Sequence, residues 1–343
     1  MKKKILFGLF HVPHINFFKN SIKMLEDLGH DCTLYVRPRG DLLPILKHEL
    51  GSRKIIQIGQ HYKSDFGKVT EAINSDLKLL LYLSQEKFNV VTSIAGLSLC
   101  HASYLKNIPS ITFSDDPEYN FLFRFYSRYS SKLVSPIYCD IRGDNTVSYN
   151  GYKELAHLHP KLFSPSKEVL EKYNLEPDNF VLIREQSPIS LVYRNARIGQ
   201  LYEIAKYIKE SGLKVILSLE DKTDSSIYTG IGEVLTEPVE SFHSLLHYAK
   251  FVVSSGDSLS REAALLGTPA IYTGGRVMKV NKELIQMGLI FKEESHENIK
   301  KICLFLEQND YKHYIRKKLD KKFRDEWVDT STVITEALLN MAT

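Results

Sequence analysis

The chain has 343 residues, 43% of them hydrophobic and 25% charged, with a formal net charge of +4. That length has room for two ordinary domains, and that composition excludes a disordered or low-complexity chain. The balance of 45 basic against 41 acidic residues gives no nucleic-acid signature, and no run of about 18 apolar residues exists to span a membrane.

The opening Met1–Phe10 imitates a secretory signal. It stops at His11-Val12-Pro13-His14 with no small-residue cleavage site, so it reads as a buried first strand. Further strands follow at Cys32–Val36, Lys54–Ile58, Val90–Ile94, Ser110–Phe113 and Lys132–Ser135. Helical patterns separate them at Ile15–Leu28, Lys68–Gln85, Leu97–Lys106 and Tyr119–Tyr129, the first stopped by Gly29. Ile137 to Pro177 is rich in Pro, Tyr and Asn and reads as a linker with its hinge near Pro160–Pro165. The plan then repeats, with strands at Phe180–Arg184, Lys214–Ser218, Glu233–Leu235, Phe251–Ser254, Ala270–Tyr272 and Leu289–Phe291. Helices are expected at Ala196–Ser211, Ser241–Tyr248, Ser258–Leu266, Lys279–Met287 and His296–Gln308. The tail from Tyr311 reads as helix with a break at Trp327-Val328-Asp329. This alternation predicts an α/β chain of two doubly wound, mostly parallel sheets of about six strands. The expected domains are 1–160, 161–322, and a tail, 323–343, crossing back onto the first. The four cysteines, Cys32, Cys100, Cys139 and Cys303, lack any C-x-x-C spacing. They read as reduced, buried thiols of a cytoplasmic protein.

The richest segment is Ser254-Ser255-Gly256-Asp257-Ser258-Leu259-Ser260-Arg261-Glu262, between two apolar runs and followed by Gly267-Thr268-Pro269. Strand, glycine turn and helix in that order form a nucleotide site in an open α/β sheet. Gly256 lets the backbone approach a ligand. The helix opening near Ser258 turns amide groups and a partial positive charge toward a phosphate, with Ser258 and Ser260 as further donors. Glu262, about one turn in, is placed to accept from two ribose hydroxyls. The alternative is a tight turn with Glu262 on a solvated face. Arg184, ending its strand, and Arg276, after Gly274-Gly275, are candidate diphosphate cations, or plain salt-bridge partners.

In the first half, His14 follows the first strand, where a neutral imidazole could take a proton from an acceptor hydroxyl; otherwise it caps the helix. Asp115, in Ser114-Asp115-Asp116-Pro117-Glu118, is the second candidate acid or base, with Asp116 expected to be the helix cap. No D-x-D triplet occurs, which argues against a metal-bridged diphosphate. Around Asn120 to Lys132, Phe121, Phe125, Tyr126 and Tyr129 lie near one helical face, with Arg124, Arg128 and Lys132 spaced four apart. Such a helix either rests on anionic lipid, receiving a lipid-linked acceptor, or buries its aromatic stripe. The basic run Arg316-Lys317-Lys318 with Lys321-Lys322 reads as a solvated helix face.

Tyr149-Asn150-Gly151-Tyr152-Lys153-Glu154-Leu155-Ala156-His157-Leu158-His159-Pro160 and Ser260 to Ala270 resemble two signatures of a largely archaeal family of glycosyltransferase-like proteins. The resemblance implies the GT-B fold, two Rossmann-like domains facing a cleft. More distantly, Gly256, Glu262 and His14 are similar to positions in the lipid-linked N-acetylglucosaminyltransferase of peptidoglycan synthesis. Ile108 to Asp115 and Arg184 resemble segments of the non-hydrolysing UDP-GlcNAc 2-epimerase. Two departures stand out. Asp257 replaces a second glycine, and a carboxylate ~4 Å from a phosphate repels it by up to about 4 kcal/mol at an effective dielectric near 20. Ile183 precedes Arg184 where the epimerase has a histidine.

The residues together predict a metal-independent glycosyltransferase using a nucleoside-diphosphate sugar, a UDP-sugar by resemblance, with no separate cofactor. Its acceptor is left open as a glycan or a lipid-linked group, with peripheral membrane contact. The segment Val239 to Phe242 is expected near the base, with the Phe242 ring against it. The two other readings are a UDP-sugar 2-epimerase and a non-catalytic nucleotide-sugar binder.

Overall fold

A computed structural model describes the chain except residues 39, 41, 52, 60–64, 119, 188–196, 221–224, 236–240, 277 and 342–343, and except the side chains of 65–73, 120 and 121. The chain forms two compact units, Met1–Leu162 with Trp327–Thr343, and Phe163–Glu326.

The first unit contains β1 (Lys4–Leu9), α1 (Val12–Asp27), β2 (Asp31–Val36), α2 (Leu42–Leu50), β3 (Ile55–Gln57), α3 (Asp65–Gln85) and β4 (Val90–Ile94). It continues with α4 (Leu97–Leu105), β5 (Ser110–Phe113), α5 (Asn120–Tyr129), β6 (Lys132–Pro136), β7 (Thr146–Tyr149) and α6 (Leu155–Leu158). The second unit contains α7 (Glu168–Lys172), β8 (Phe180–Glu185), α8 (Tyr202–Glu210), β9 (Lys214–Leu219), β10 (Glu233–Val234) and α9 (Phe242–Tyr248). After these come β11 (Phe251–Ser254), α10 (Asp257–Leu265), β12 (Ala270–Tyr272), α11 (Lys282–Gln286), β13 (Ile290–Lys292), α12 (His296–Gln308) and α13 (Tyr311–Asp325). The last helix, α14 (Thr330–Met341), belongs to the first unit.

Both sheets are parallel. Their strand orders are β3-β2-β1-β4-β5-β6-β7 and β10-β9-β8-β11-β12-β13. In each the order reverses once, between β1 and β4 and between β8 and β11. A right-handed crossover puts helices that lead leftward on one face and helices that lead rightward on the other. Accordingly α1, α2, α6 and α14 share one face of the first sheet, and α3, α4 and α5 share the other. The strands are apolar on both faces, as a doubly covered parallel sheet requires. Ile5, Phe7 and Leu9 pack toward Phe18 and Ile334, while Leu6 packs toward Leu79 and Leu99.

Three elements, β7, α6 and α7, fell inside the stretch that composition marked as linker. β7, with Thr146 to Ser148 solvent-facing, is a short edge strand whose polar residues hide its pairing with β6. The signature segment after it pins the tail of the chain. Thr330 Oγ1 donates to the Tyr152 carbonyl at 2.8 Å and Ser331 Oγ to that of Ala156 at 2.6 Å. Trp327 Nε1 donates to Tyr138 Oη at 2.8 Å, and its ring meets Tyr152 edge-on at 5.1 Å. The basic run in α13 is only partly solvated. Lys312 Nζ reaches Asp178 at 2.6 Å and the Ala249 carbonyl at 2.8 Å. Arg316 donates to the Gly267 and His247 carbonyls, and Lys318 to that of Met287. Lys317 and Lys321 alone in that run are exposed.

Candidate functional site

In an open α/β sheet, ligands collect at the carboxyl ends of the strands where the order reverses. In the second unit that point lies beyond Glu185 of β8 and Ser254 of β11, which places the β11–α10 turn there. Ser254 Oγ donates to the Gly256 carbonyl at 2.8 Å and accepts the Gly256 amide at 3.0 Å, which fixes the turn. The Gln186 amide donates to Ser255 Oγ at 2.9 Å and stitches the two strand ends together. A Cβ on Gly256 would lie 2.3 Å from Gln186 Nε2, and one on Gly274 would lie 2.3 Å from the Ser255 carbonyl oxygen. Both glycines therefore allow loops to close on this turn. No side chain caps the start of α10 among the described residues.

The departure at Asp257 finds its physical answer here. Its carboxylate is buried beside α10, with Oδ2 3.1 Å from Arg261 Nη1 and 3.9 Å from Arg276 Nη1. Arg261 has no exposed surface. It also donates to Asn281 Oδ1 at 2.9 Å and to Ser258 Oγ at 3.4 Å. The carboxylate is thus paired with two guanidinium groups and does not stand as a lone negative charge at the start of α10. Arg261, which sequence reasoning passed over, was findable by its spacing, four residues after Asp257.

The other donor-side residues fall as follows. Arg184 donates to Ser218 Oγ at 2.8 Å, in register with Ser254 on the neighbouring strand. Ser258 is exposed, whereas Ser260 is buried and donates to the Gly256 carbonyl at 3.0 Å, so its hydroxyl serves the helix. Glu262 is half-buried, its Oε2 3.6 Å from His243 Nε2. Phe242 starts α9, its ring 6.2 Å from that of His243. Val239 and Glu240, which the sequence put near a base, lie outside the described residues.

In the first unit the reversal point is occupied by Phe10. Its ring packs where a Cβ of Gly8 or Gly96 would stand, and it meets Tyr35 edge-on at 5.3 Å. His14 is buried near the start of α1, and the Phe10 amide donates to its Nδ1 at 3.3 Å. A backbone N–H can only donate, so the neutral ring holds its proton on Nε2. Burial pushes the His14 pKa well below the ordinary value, aided by the charges of His11 and Lys153. A hydrogen bond to the Gly8 backbone opposes this, and the balance leaves the ring neutral near pH 7.

Asp115 follows β5 and is buried. Lys153 Nζ sits 2.7 Å from its Oδ2, and Cys139 Sγ lies 3.6 Å from its carbonyl. Both charged side chains line a cavity of about 10 Å³, the size of one water, walled by Phe17, Phe113, Val134 and Tyr149. Lys153 lies inside the 149–160 signature, yet sequence alone gave it no role, because its partner is 38 positions away (153 less 115).

A family model described as "Protein of unknown function (DUF354)" matches residues 3–342. The uncharacterized protein MJ0665 of Methanocaldococcus jannaschii is 24% identical over 313 residues, covering 88% of this chain and 90% of that protein. UDP-GlcNAc 2-epimerase of the same organism, in complex with UDP-GlcNAc and UDP, superposes with a TM-score of 0.72 at 15% identity, covering 98% of this chain and 99% of that one. MurG of Acinetobacter baumannii superposes with a TM-score of 0.62 at 13% identity, covering 98% and 99%. At these identities the structural likenesses speak for the fold, and that fold is GT-B.

Proposed function

We propose that this chain, which belongs to the DUF354 family, is a glycosyltransferase that uses a nucleoside-diphosphate sugar, with UDP as the nucleotide. One observation carries the reading: Asp257 is neutralised by Arg261 and Arg276, which leaves the uncapped start of α10 fit for a diphosphate. In this reading Arg184 and Arg276 bind the diphosphate, and Glu262, steadied by His243, takes the ribose hydroxyls. The epimerase neighbour solved with UDP-GlcNAc and UDP gives the choice of UDP its support.

The reacting groups belong to the first unit. Asp115, oriented by Lys153, takes the proton of an acceptor hydroxyl, whose oxygen then bonds to the anomeric carbon of the donor. The bond from that carbon to the diphosphate breaks, and the leaving group departs with the electron pair, stabilised by the arginines and the helix amides. His14 donates a hydrogen bond through Nε2 instead of accepting the proton.

The test is calorimetric titration of the wild type and Glu262→Ala with UDP, UDP-GlcNAc and UMP. The expected result is binding of the diphosphates, weakened at least tenfold in the variant, with UMP weaker than UDP. No heat with any of them sinks the reading. Coupled assays then separate the reactions: UDP release that requires an added acceptor supports transfer. Interconversion of the sugar without acceptor would instead make the protein an epimerase.

A further inference from the structure

The helix layer formed by α3, α4 and α5 departs from the usual division of a surface helix into an apolar inner and a polar outer face. In α3, Leu79 and Leu83 point into the core, yet Leu77 and Leu81 are 56% and 64% exposed. Tyr104 and Leu105 at the end of α4 are 57% and 52% exposed, and Phe125 of α5 is 40% exposed. A single exposed leucine needs no explanation. Five large apolar side chains on three adjacent helices form a patch. By contrast, α1, α2 and α14 on the opposite face leave only Leu28 in this state, among the described residues.

The three helices pack side by side, and ring contacts join the members on α4 and α5. His101 of α4 lies 3.2 Å from Asp76, the residue before Leu77. The Tyr129 ring lies 5.4 Å from His101, 5.2 Å from Tyr104 and 5.3 Å from Phe125. The aromatic stripe read from sequence is thus divided: Tyr126 is buried and bonded to Ser114 at 2.7 Å, while Phe125 faces outward. Among the described side chains, the exposed charges on α4, α5 and the outer turn of α3 are cationic. Lys78, Lys106, Arg124 and Arg128 are exposed, whereas Asp76 is held by His101 and Glu86 by Lys54 at 3.0 Å.

We infer that the outer face of α3, α4 and α5 docks on a lipid bilayer bearing anionic headgroups. Apolar side chains ringed by cations satisfy both halves of such a surface. The leucines and rings enter the acyl boundary while the cations meet the headgroups. The inference stands independently of the proposed reaction.

Vesicle flotation of the full-length protein tests it, with phosphatidylcholine alone and with about 30 mol% phosphatidylglycerol added. The wild type is expected to float with the anionic vesicles and not with the neutral ones, and high salt is expected to release it. Lys106→Glu with Arg124→Glu should weaken binding about twentyfold or more, at about fivefold per cation. Leu81→Glu with Phe125→Glu should abolish it. All four positions are exposed, so unchanged melting temperatures check the fold. Should the apolar pair misfold, the charge pair remains an independent test. Failure of the wild type to float with anionic vesicles overturns the inference. So does a result in which these variants split a dimer, seen by sedimentation, while vesicle binding stays unchanged; the face would then belong to a second copy of the chain.

Discussion

At Asp257 a carboxylate stands where the rest of the motif asks for a ligand's negative charge, and its neighbours decide the consequence. A fully buried Arg261 depends on that carboxylate. Asp257→Asn should therefore cost about 3 kcal/mol, the scale of removing one partner from a buried pair. Guanidinium unfolding at pH 7 measures it, and an unchanged midpoint would show that Asn281 and Ser258 suffice for Arg261. Lys153 holds Asp115 in the same way. Lys153→Met should raise the proton affinity of Asp115 and move the acid limb of a pH-rate profile upward, while UDP affinity stays within about twofold. Lys153→Arg should restore the profile. An unmoved acid limb in Lys153→Met would leave the pair a purely structural one.

Elements carry two further expectations. The β11–α10 turn and the loop after β12 close on each other through Gly274, whose missing Cβ makes room for backbone, which cannot swing aside as the Gln186 side chain can at Gly256. Gly274→Ala should cost about 2 kcal/mol by overpacking and Gly256→Ala clearly less, read as two denaturation midpoints. The α13 clamp bears on pH. Arg316 Nη2 lies 3.3 Å from His247 Nε2 and donates to the His247 carbonyl at 3.0 Å. Burial, then the charges of Arg316 and Lys312, push the His247 pKa down to about 4. The unfolded chain protonates this ring near 6.5 and the folded chain only near 4, so the unfolded state holds more protons between those values. Stability is therefore whole above pH 6.5 and falls as the pH drops toward 4, by at most about 3 kcal/mol. Burial of His14 acts in the same direction in the first unit. Urea unfolding at pH 7 and pH 5 should show the loss, and His247→Gln should flatten it.

For the whole molecule, the chain leaves the first unit at Leu162 and returns at Trp327. The returning segment supplies buried Trp327, Ile334 and Leu338 and the hydroxyls that satisfy the Tyr152 and Ala156 carbonyls. Removal of 327–343 should strip amide protection from α1 and α6 in hydrogen exchange and leave β8, β9 and β11 protected. Equal loss in both sheets would show that the units do not unfold separately.

Strand and helix periodicity sufficed for the two parallel sheets, because hydrophobic runs between glycine turns are local signals that survive without any partner. The Gly256 turn was legible for the same reason. Periodicity missed α2, β7, α6 and α7: β7 is a polar edge strand, α6 and α7 have only four and five residues, and α2 is a single short helix whose apolar residues, Leu42, Leu46 and Leu50, match strand and helix alike in so brief a window. Tertiary structure alone decided which charges meet. The Lys153–Asp115 pair joins two loops, and the exposure of Leu77 and Leu81 depends on where α3 rests on its sheet. Such pairings follow from distances in space, which local pattern does not encode.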